Sequence, residues 1–351
     1  MKVRQDRLRV KCAERSVVVS EHLGDSCVVI VWELHLVSYP PKKIEGLREV
    51  RRCAHDKRMR IFVTGASGFV GSAVVPELLR AGHQVVGLAR SDASASAVAA
   101  AGAQVQRGDL ADLDGLRRGA SSADGVIHLG FIHDFANYAK SAETDRAAIH
   151  AMATALAGSN RPLVVTSGTL GAGAPGAIGT EDDPGDASRR FSESALDAAP
   201  RGVRGVVVRL SATVHGDGDH GFVPRLIQIA REKGISGYPG EGANRWSAVH
   251  RLDAATLFRL GIEAAPAGAR LHAAADEAVS SRRIAEAIGM KLGVPVRSIP
   301  PERVTEHFGW IGAFFSIDKP ASSAKTRKLV GWTPTQIGLI QDLEQGTYFA
   351  R

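Results

Sequence analysis

The stretch Met59-Arg60-Ile61-Phe62-Val63-Thr64-Gly65-Ala66-Ser67-Gly68-Phe69-Val70-Gly71 decides the fold. Arg60 to Thr64 is a short apolar run of the kind that makes a buried strand. Three glycines follow at the spacing G-x-x-G-x-x-G, and Ser72 to Arg80 then reads as a helix closed by Ala81-Gly82. In such a turn one glycine lets the chain leave the strand sharply. Another lets backbone amides approach a pyrophosphate, and a third lets the helix pack closely on the sheet. The helix N-terminus then presents its partial positive charge to the phosphates. A strand before and a helix after are the context such a glycine triplet requires.

The alternation continues. Strands are expected at Gln84 to Ala89, Ala103 to Arg107, Gly125 to Leu129, Leu163 to Thr166 and Val203 to Arg209. Helical stretches separate them, among them a run from about Asp92 and a long one from Tyr138 to Ala157. Six strands joined by helical crossovers predict an α/β protein with a Rossmann-type, doubly wound parallel sheet.

The wording Thr64-Gly65-Ala66-Ser67-Gly68-Phe69-Val70-Gly71 resembles the short-chain dehydrogenase/reductase superfamily in its extended, epimerase/dehydratase-like branch. The resemblance runs from about residue 59 to about residue 345. Its later parts include Trp246 to Asp253, with His250 and Asp253 in place, and a closing segment that ends Gly331-Trp332-Thr333-Pro334. It implies a nicotinamide cofactor and a smaller C-terminal substrate subdomain. Residues 59–215 are thus expected to be mainly the dinucleotide-binding domain. Residues 216–351 are expected to be mainly substrate-binding, with segments that cap the sheet. Trp332 and Pro334 are read as packing residues.

The first 58 residues differ from the rest. They hold all three cysteines, Cys12, Cys27 and Cys53, and thirteen lysines and arginines against eight acidic residues, in a chain of net charge +7. The body is therefore nearly neutral, which removes the basic pI as an argument for nucleic-acid binding. Acidic residues interrupt the basic start, so neither a secretory signal nor a transit peptide fits. Met59 directly precedes the first strand, and the natural chain is expected to begin there, with 1–58 an over-long start or a disordered extension. The cysteines show no metal-ligand spacing, and no disulfide framework or metal site is expected. No apolar run is long enough to span a bilayer. These features predict a cytoplasmic protein with a small-molecule partner and no nucleic-acid or membrane partner. A homodimer is left open.

The cofactor residues follow from the turn and the strand ends. Gly65, Ala66, Ser67, Gly68, Phe69, Val70 and Gly71 are expected around the pyrophosphate. Arg90 ends the second strand where a carboxylate would hydrogen-bond the adenosine ribose. A guanidinium there favours a 2′-phosphate, so NADP is expected over NAD, with Asp92 close enough to keep NAD possible. By the resemblance, Asp109 and Leu110 contact the adenine.

The family's proton-handling residues are replaced. Its reductases protonate the substrate oxygen with a Tyr, helped by a Lys one helical turn later. That motif belongs on the helix around Ala187 to Ala199. Aligned on Ser192, Arg189 falls at the Tyr position and Glu193 at the Lys position. Arginine keeps its proton near neutral pH, and glutamate reverses the charge. The chain thus resembles an atypical subgroup without the active-site Tyr. The Tyr39 to Lys43 match is broken by Pro40 and Pro41.

Three loops converge beyond the strand ends: 130–138, 167–171 and 211–221. His133 and Tyr138 are the expected alternative acids, because imidazole titrates near neutral pH and phenol is the family's own donor. The family's usual serine aligns with Gly168, so Ser167 or Thr169 could replace it by a one-residue shift. Phe131, His133, Ser211, His215 and His220 are candidates for substrate contact, and Ser167 also for cofactor contact. Asp217 and Asp219 stand beside these histidines, but Gly216, Gly218 and Gly221 favour a flexible substrate loop over a metal cluster. Residues 171–187, rich in Gly, Pro and Asp, are expected to form a mobile loop. The leading functional expectation is hydride transfer between NADP(H) and a small carbonyl or alcohol. An epimerase or dehydratase-like enzyme with tightly held cofactor and an inactive nucleotide-binding sensor are the alternatives.

Overall fold

Strand and helix alternate from Arg60 onward in a computed structural model that describes residues 58–134, 137–174, 176–185 and 187–349, without the side chains of 187–191. The N-terminal extension, its cysteines and the Tyr39 to Lys43 pair lie outside the described residues. The main sheet contains β1 (Arg60–Thr64), β2 (Gln84–Ala89), β3 (Gln104–Arg107), β4 (Gly125–His128), β5 (Pro162–Gly168), β6 (Arg204–Leu210) and, later in the chain, β10 (Ala269–Ala273). All its pairings are parallel, in the order β10-β6-β5-β4-β1-β2-β3. The strand order reverses at β1, with β2 and β3 added on one side and β4, β5 and β6 on the other, which opens a crevice beyond the carboxyl ends of β1 and β4.

The seventh strand was not expected from the sequence. Arg270 and His272 alternate with Ala and Leu there, so β10 lacks the continuous apolar run of its neighbours. It nevertheless pairs with β6 along Ala269 to Ala273. The main sheet therefore draws a strand from beyond residue 216.

Side-chain alternation along β1 shows how both faces are covered. Ile61 and Val63 enter one core with α1 (Gly71–Arg80) and α6 (Arg251–Ala264). Phe62 enters another core with α3 (Leu113–Ser121) and α4 (Tyr138–Leu156). The helix α2 (Asp92–Ala100) is opened by a reciprocal capping box between Ser91 and Ser94.

The stretch expected to carry the family's Tyr and Lys is a 3-10 helix, Ala187–Arg201. Beyond the main sheet, β7 (Thr213–His215), β9 (Arg245–His250) and β11 (Asp276–Ser280) form a second sheet, and β8 (Ser236–Pro239) pairs with β12 (Val296–Ile299). Around them pack α5 (Phe222–Lys233), α7 (Ser281–Leu292), α8 (Val304–Phe308), α9 (Ile311–Phe315), α10 (Ala324–Val330) and α11 (Leu339–Gln345).

Two loops are fastened more firmly than their composition suggests. Glu181 is buried and accepts hydrogen bonds from the Thr326 amide at 2.6 Å and hydroxyl at 2.7 Å. Gly179 also pairs with Pro320 and Ser322 through its backbone. The loop is thus tied to the C-terminal segment at Gly179 and Glu181, while Ala174, Gly176, Ala177, Ile178 and Thr180 stay exposed. Trp332 is buried as a packing residue and donates to the Asp253 carbonyl at 3.0 Å, while the Asp253 carboxylate accepts from the Thr335 and Gln336 amides.

Candidate functional site

A cleft of about 1340 Å³ lies over the carboxyl ends of β1, β2, β4, β5 and β6. Its floor is the glycine turn. Gly65 has φ +66°, and a Cβ there would lie 2.7 Å from the Gly130 nitrogen of the neighbouring strand end. A Cβ on Gly71 would lie 2.0 Å from the Gly65 carbonyl oxygen. These two positions close the turn and seat α1 against it. Among the described residues the amides of Phe69 and Val70 donate to no backbone carbonyl. They stand at the N-terminus of α1, where an anion is favoured. The turn therefore fits a dinucleotide pyrophosphate. Gly65, Ser67, Gly68, Phe69, Val70 and Gly71 line the cleft. Ala66 does not: its methyl is buried under the sheet core beside Gly87.

At the adenosine end the cleft is lined by Arg90, Ser91, Ser94, Asp109 and Leu110. Asp92 is turned away and paired with Arg107 at 2.8 Å. Arg90 has no carboxylate partner among the described residues. Asp109 also holds its own turn, its carboxylate accepting from the Ala111 amide at 2.6 Å.

At the other end the cleft receives Phe131, His133, Tyr138, Ser167, Ser192 and Ser211. Phe131 packs edge-on to His133 at 5.2 Å between centroids and lies 6.0 Å from Tyr138. The two expected acids thus share one aromatic cluster. Ser211 borders the cleft, but its hydroxyl donates to the Ala273 carbonyl at 2.6 Å. His220 also lines the cleft, edge-on to Phe69 at 5.7 Å.

Two more expected residues, besides Ala66, are elsewhere. Thr169 is buried against the second sheet, its hydroxyl 3.1 Å from that of Ser247. Thr169 opens the 3-10 turn Thr169–Gly171 that follows β5 and is carried out of the strand's alternation, whereas Ser167, still on the strand, lines the cleft. His215 is 0 % exposed and bonded through Nδ1 to Asp342 at 2.7 Å, with His250 edge-on at 5.3 Å. It is a core histidine rather than a substrate contact. Burial and the neighbouring His215 hold the His250 pKa below its usual value.

The acidic pair of the 211–221 loop serves the loop itself. Asp219 accepts from the Tyr348 hydroxyl at 2.7 Å and the Gly221 amide at 2.7 Å, and Asp217 accepts from Thr347 at 2.6 Å. Burial raises the Asp219 pKa despite those two bonds. Burial and then Asp219 push the Tyr348 phenol up. Arg251 links this loop to the glycine turn, bonding the Asp217 carbonyl at 2.6 Å and Ser72 at 3.3 Å while lying over Phe69.

The residue at the family's Lys position has been turned to another task. Glu193 is buried and bidentate to Arg209, at 2.7 and 3.1 Å, and bonds Arg270 at 2.9 Å. Burial alone would raise its pKa, but the two guanidinium groups outweigh that and hold it below the usual range. The Arg189 side chain lies outside the described residues.

The sequence reading missed a buried polar chain at the head of the cleft. Thr64 Oγ1 lies 2.7 Å from His128 Nδ1, and His128 Nε2 lies 2.9 Å from Asp145 Oδ1. The Gly130 amide donates to Thr64 Oγ1 at 3.1 Å. With Asp145 accepting from Nε2–H, His128 Nδ1 accepts from the Thr64 hydroxyl, and every member is satisfied. The available signal was two polar residues, Thr64 and His128, ending adjacent apolar strands in register.

The comparisons agree with this architecture. The chain matches the model of the NAD dependent epimerase/dehydratase family over residues 61–273. It is 46% identical over 295 residues to an uncharacterised protein of Schizosaccharomyces pombe, covering 83% of this chain and 100% of that one. A 2-alkyl-3-oxoalkanoate reductase of Stenotrophomonas maltophilia is 32% identical over 225 residues, covering 60% of this chain and 67% of the other. The UDP-glucose 4-epimerase of Thermus thermophilus, solved with NAD, superposes with a TM-score of 0.66 at 20% identity, covering 84% of this chain and all of that one. Glycine turn, seven-stranded parallel sheet and matched family model together make this chain a member of the NAD dependent epimerase/dehydratase family, within the extended short-chain dehydrogenases/reductases.

Proposed function

We propose that this protein is an NADP(H)-dependent oxidoreductase that interconverts a small carbonyl compound and its alcohol, with a proton donor other than the family's Tyr. The observation that carries this reading is the pairing of an intact dinucleotide turn with a polar far end. His133, Tyr138 and Ser167 line that end, while Glu193 is locked to Arg209 and Arg270. The match to a reductase supports the same direction. When bound, the nicotinamide supplies or accepts the hydride. The chain's own residues then have three tasks. The glycine turn and Arg90 hold the dinucleotide, Ser167 orients the carbonyl oxygen, and Tyr138 or His133 gives that oxygen its proton. The exposed Arg90, with Asp92 drawn off by Arg107, supports NADP over NAD. The reading places the protein in the cytoplasm; no described helix is long and apolar enough to cross a membrane.

Following nicotinamide absorbance across a carbonyl panel tests this. Turnover is expected, and Tyr138→Phe or His133→Ala should lower kcat by about 10²–10⁴-fold, the usual contribution of a positioned acid. The two variants separate the donors: the one that loses turnover while keeping parental NADP⁺ affinity marks the acid, and parental kcat in both overturns the reading. Cofactor binding without turnover on any panel member would instead support the inactive sensor, the alternative that the Glu193 pairing favours.

A further inference from the structure

The wall of the cleft across from the cofactor turn is made of aromatic rings. Phe222 opens α5, Trp310 precedes α9 and Phe314 lies within it, and all three line the cleft. Phe222 and Phe314 stack at 5.6 Å with 27° between their planes. Trp310 lies 6.1 Å from Phe222 and 6.2 Å from Phe314. The cluster is held from behind by buried Trp246, 5.6 Å from Phe222, whose indole N–H donates to the Phe314 carbonyl at 3.2 Å. Trp310 itself is 53 % exposed. A large indole kept at the mouth of a cleft, on a backed aromatic platform, is suited to a flat apolar ligand.

Charge narrows the ligand further. Among the described residues lining the cleft, Arg90 and Arg225 are the lysines and arginines, and Arg90 is at the adenosine end. Arg225 is shared with Glu232 at 3.7 Å. The carboxylate of Asp219 borders the same side. A diphosphate brings about two negative charges, for which bidentate arginines are the usual partners. This wall offers one guanidinium, already partly neutralised, and a carboxylate.

We infer that the substrate subsite takes an aromatic or conjugated ring bearing a ketone or aldehyde, or the matching alcohol, and not a sugar joined to a nucleoside diphosphate. This rests on the oxidoreductase reading of the same cleft. In the reductive direction the carbonyl carbon gains the hydride, the C=O π bond breaks, and its oxygen takes a proton from the cleft's acid as reduced nicotinamide is oxidised. The ring body packs on Trp310 and Phe314 and sets which carbonyls reach that point.

The test uses full-length protein saturated with NADP⁺ for binding and NADPH for turnover. The probes are 2-acetylnaphthalene, butanone and UDP-glucose. By calorimetry 2-acetylnaphthalene should bind and UDP-glucose should not. Trp310→Ala should weaken 2-acetylnaphthalene about tenfold or more, raise its KM with little change in kcat, and leave NADP⁺ affinity and the KM for butanone unchanged. Trp310→Phe should restore most of the loss. Tighter binding of UDP-glucose than of the naphthyl ketone overturns the inference. So does a Trp310→Ala effect that is equal for both ketones. Turnover of butanone without preference for the ring sinks the subsite but keeps the oxidoreductase. Selective ring binding without any turnover keeps the subsite and sinks the oxidoreductase.

Discussion

At the scale of single residues, two side chains distinguish this protein from what its cofactor turn alone would suggest. Arg90 ends β2 facing the cleft, and Asp92, the carboxylate that could have favoured NAD, is held by Arg107 at 2.8 Å. Hydrogen bonds from a guanidinium to a phosphate contribute about 1.5–3 kcal/mol, or about 10–100-fold in affinity. Arg90→Asp is therefore expected to weaken NADP⁺ by about that factor and NAD⁺ far less, as read by titration with each nucleotide. Equal losses would remove Arg90 from the ribose site. Glu193 is the second such residue. Its position was legible as a departure from the family pattern, but its partners were not. Arg209 and Arg270 are separated from it by 16 and 77 residues and meet it only because β6 and β10 are neighbours in the sheet.

At the scale of elements, the glycine turn and the loop over it form one working part. Gly68 faces the cleft, and a Cβ there would approach the Gly65 oxygen to 3.2 Å with nothing else nearby. Gly71 is different, since its added Cβ would fall 2.0 Å from that oxygen. Gly68→Ala is thus expected to fold with a near-parental melting temperature and lose at least about tenfold in NADP⁺ affinity, because a methyl group intrudes where a phosphate approaches. Gly71→Ala should fail to fold well. A Gly68→Ala protein with parental cofactor affinity would show that the pyrophosphate lies elsewhere. The 3-10 helix Ala187–Arg201 is the element that sequence reading described least well. The resemblance placed the family's motif helix there, at about Ala187 to Ala199, and the 3-10 helix that stands in its place brings Glu193 to the buried Arg209 of β6.

At the scale of the whole molecule, a half-buried and a buried carboxylate join segments distant in sequence through arginines. Glu77 of α1 bonds Arg259 of α6 at 2.8 Å, and Glu193 joins the 3-10 helix to β6 and β10. Burial opposes ionisation of both carboxylates, but their arginine partners win and depress both pKa values. Their folded pKa values lie below the unfolded value of about 4.3, so the unfolded chain takes up protons first as acid is added. Their stabilisation is complete above that pH and is lost as pH falls through the folded values. The melting temperature should hold steady down to about pH 5 and drop below about pH 4.3. Glu193→Gln leaves Arg209 buried without its counter-charge and should cost about 3–5 kcal/mol at neutral pH. Its deficit against the parent should shrink in acid, as followed by thermal unfolding across pH. A constant deficit would mean that Glu193 is not ionised in the fold, and Glu77→Gln provides the same comparison at a second site.

The sequence by itself determined the cofactor turn, the order of the first six strands and the loss of the family's Tyr and Lys. Each of these is local: glycine spacing, apolar periodicity and residue identity at a motif position need no knowledge of distant neighbours. Only the tertiary structure decided where side chains at the strand ends face and which remote segments complete the cleft. The chain leaves β5 for a 3-10 turn at Thr169, which put Ser167 in the cleft and Thr169 against Ser247. Sheet order brought Glu193 to Arg209 and Arg270, and helix packing set Phe222 beside Trp310 and Phe314. Such contacts join residues tens of positions apart, and their pairing is fixed by how sheets and helices pack.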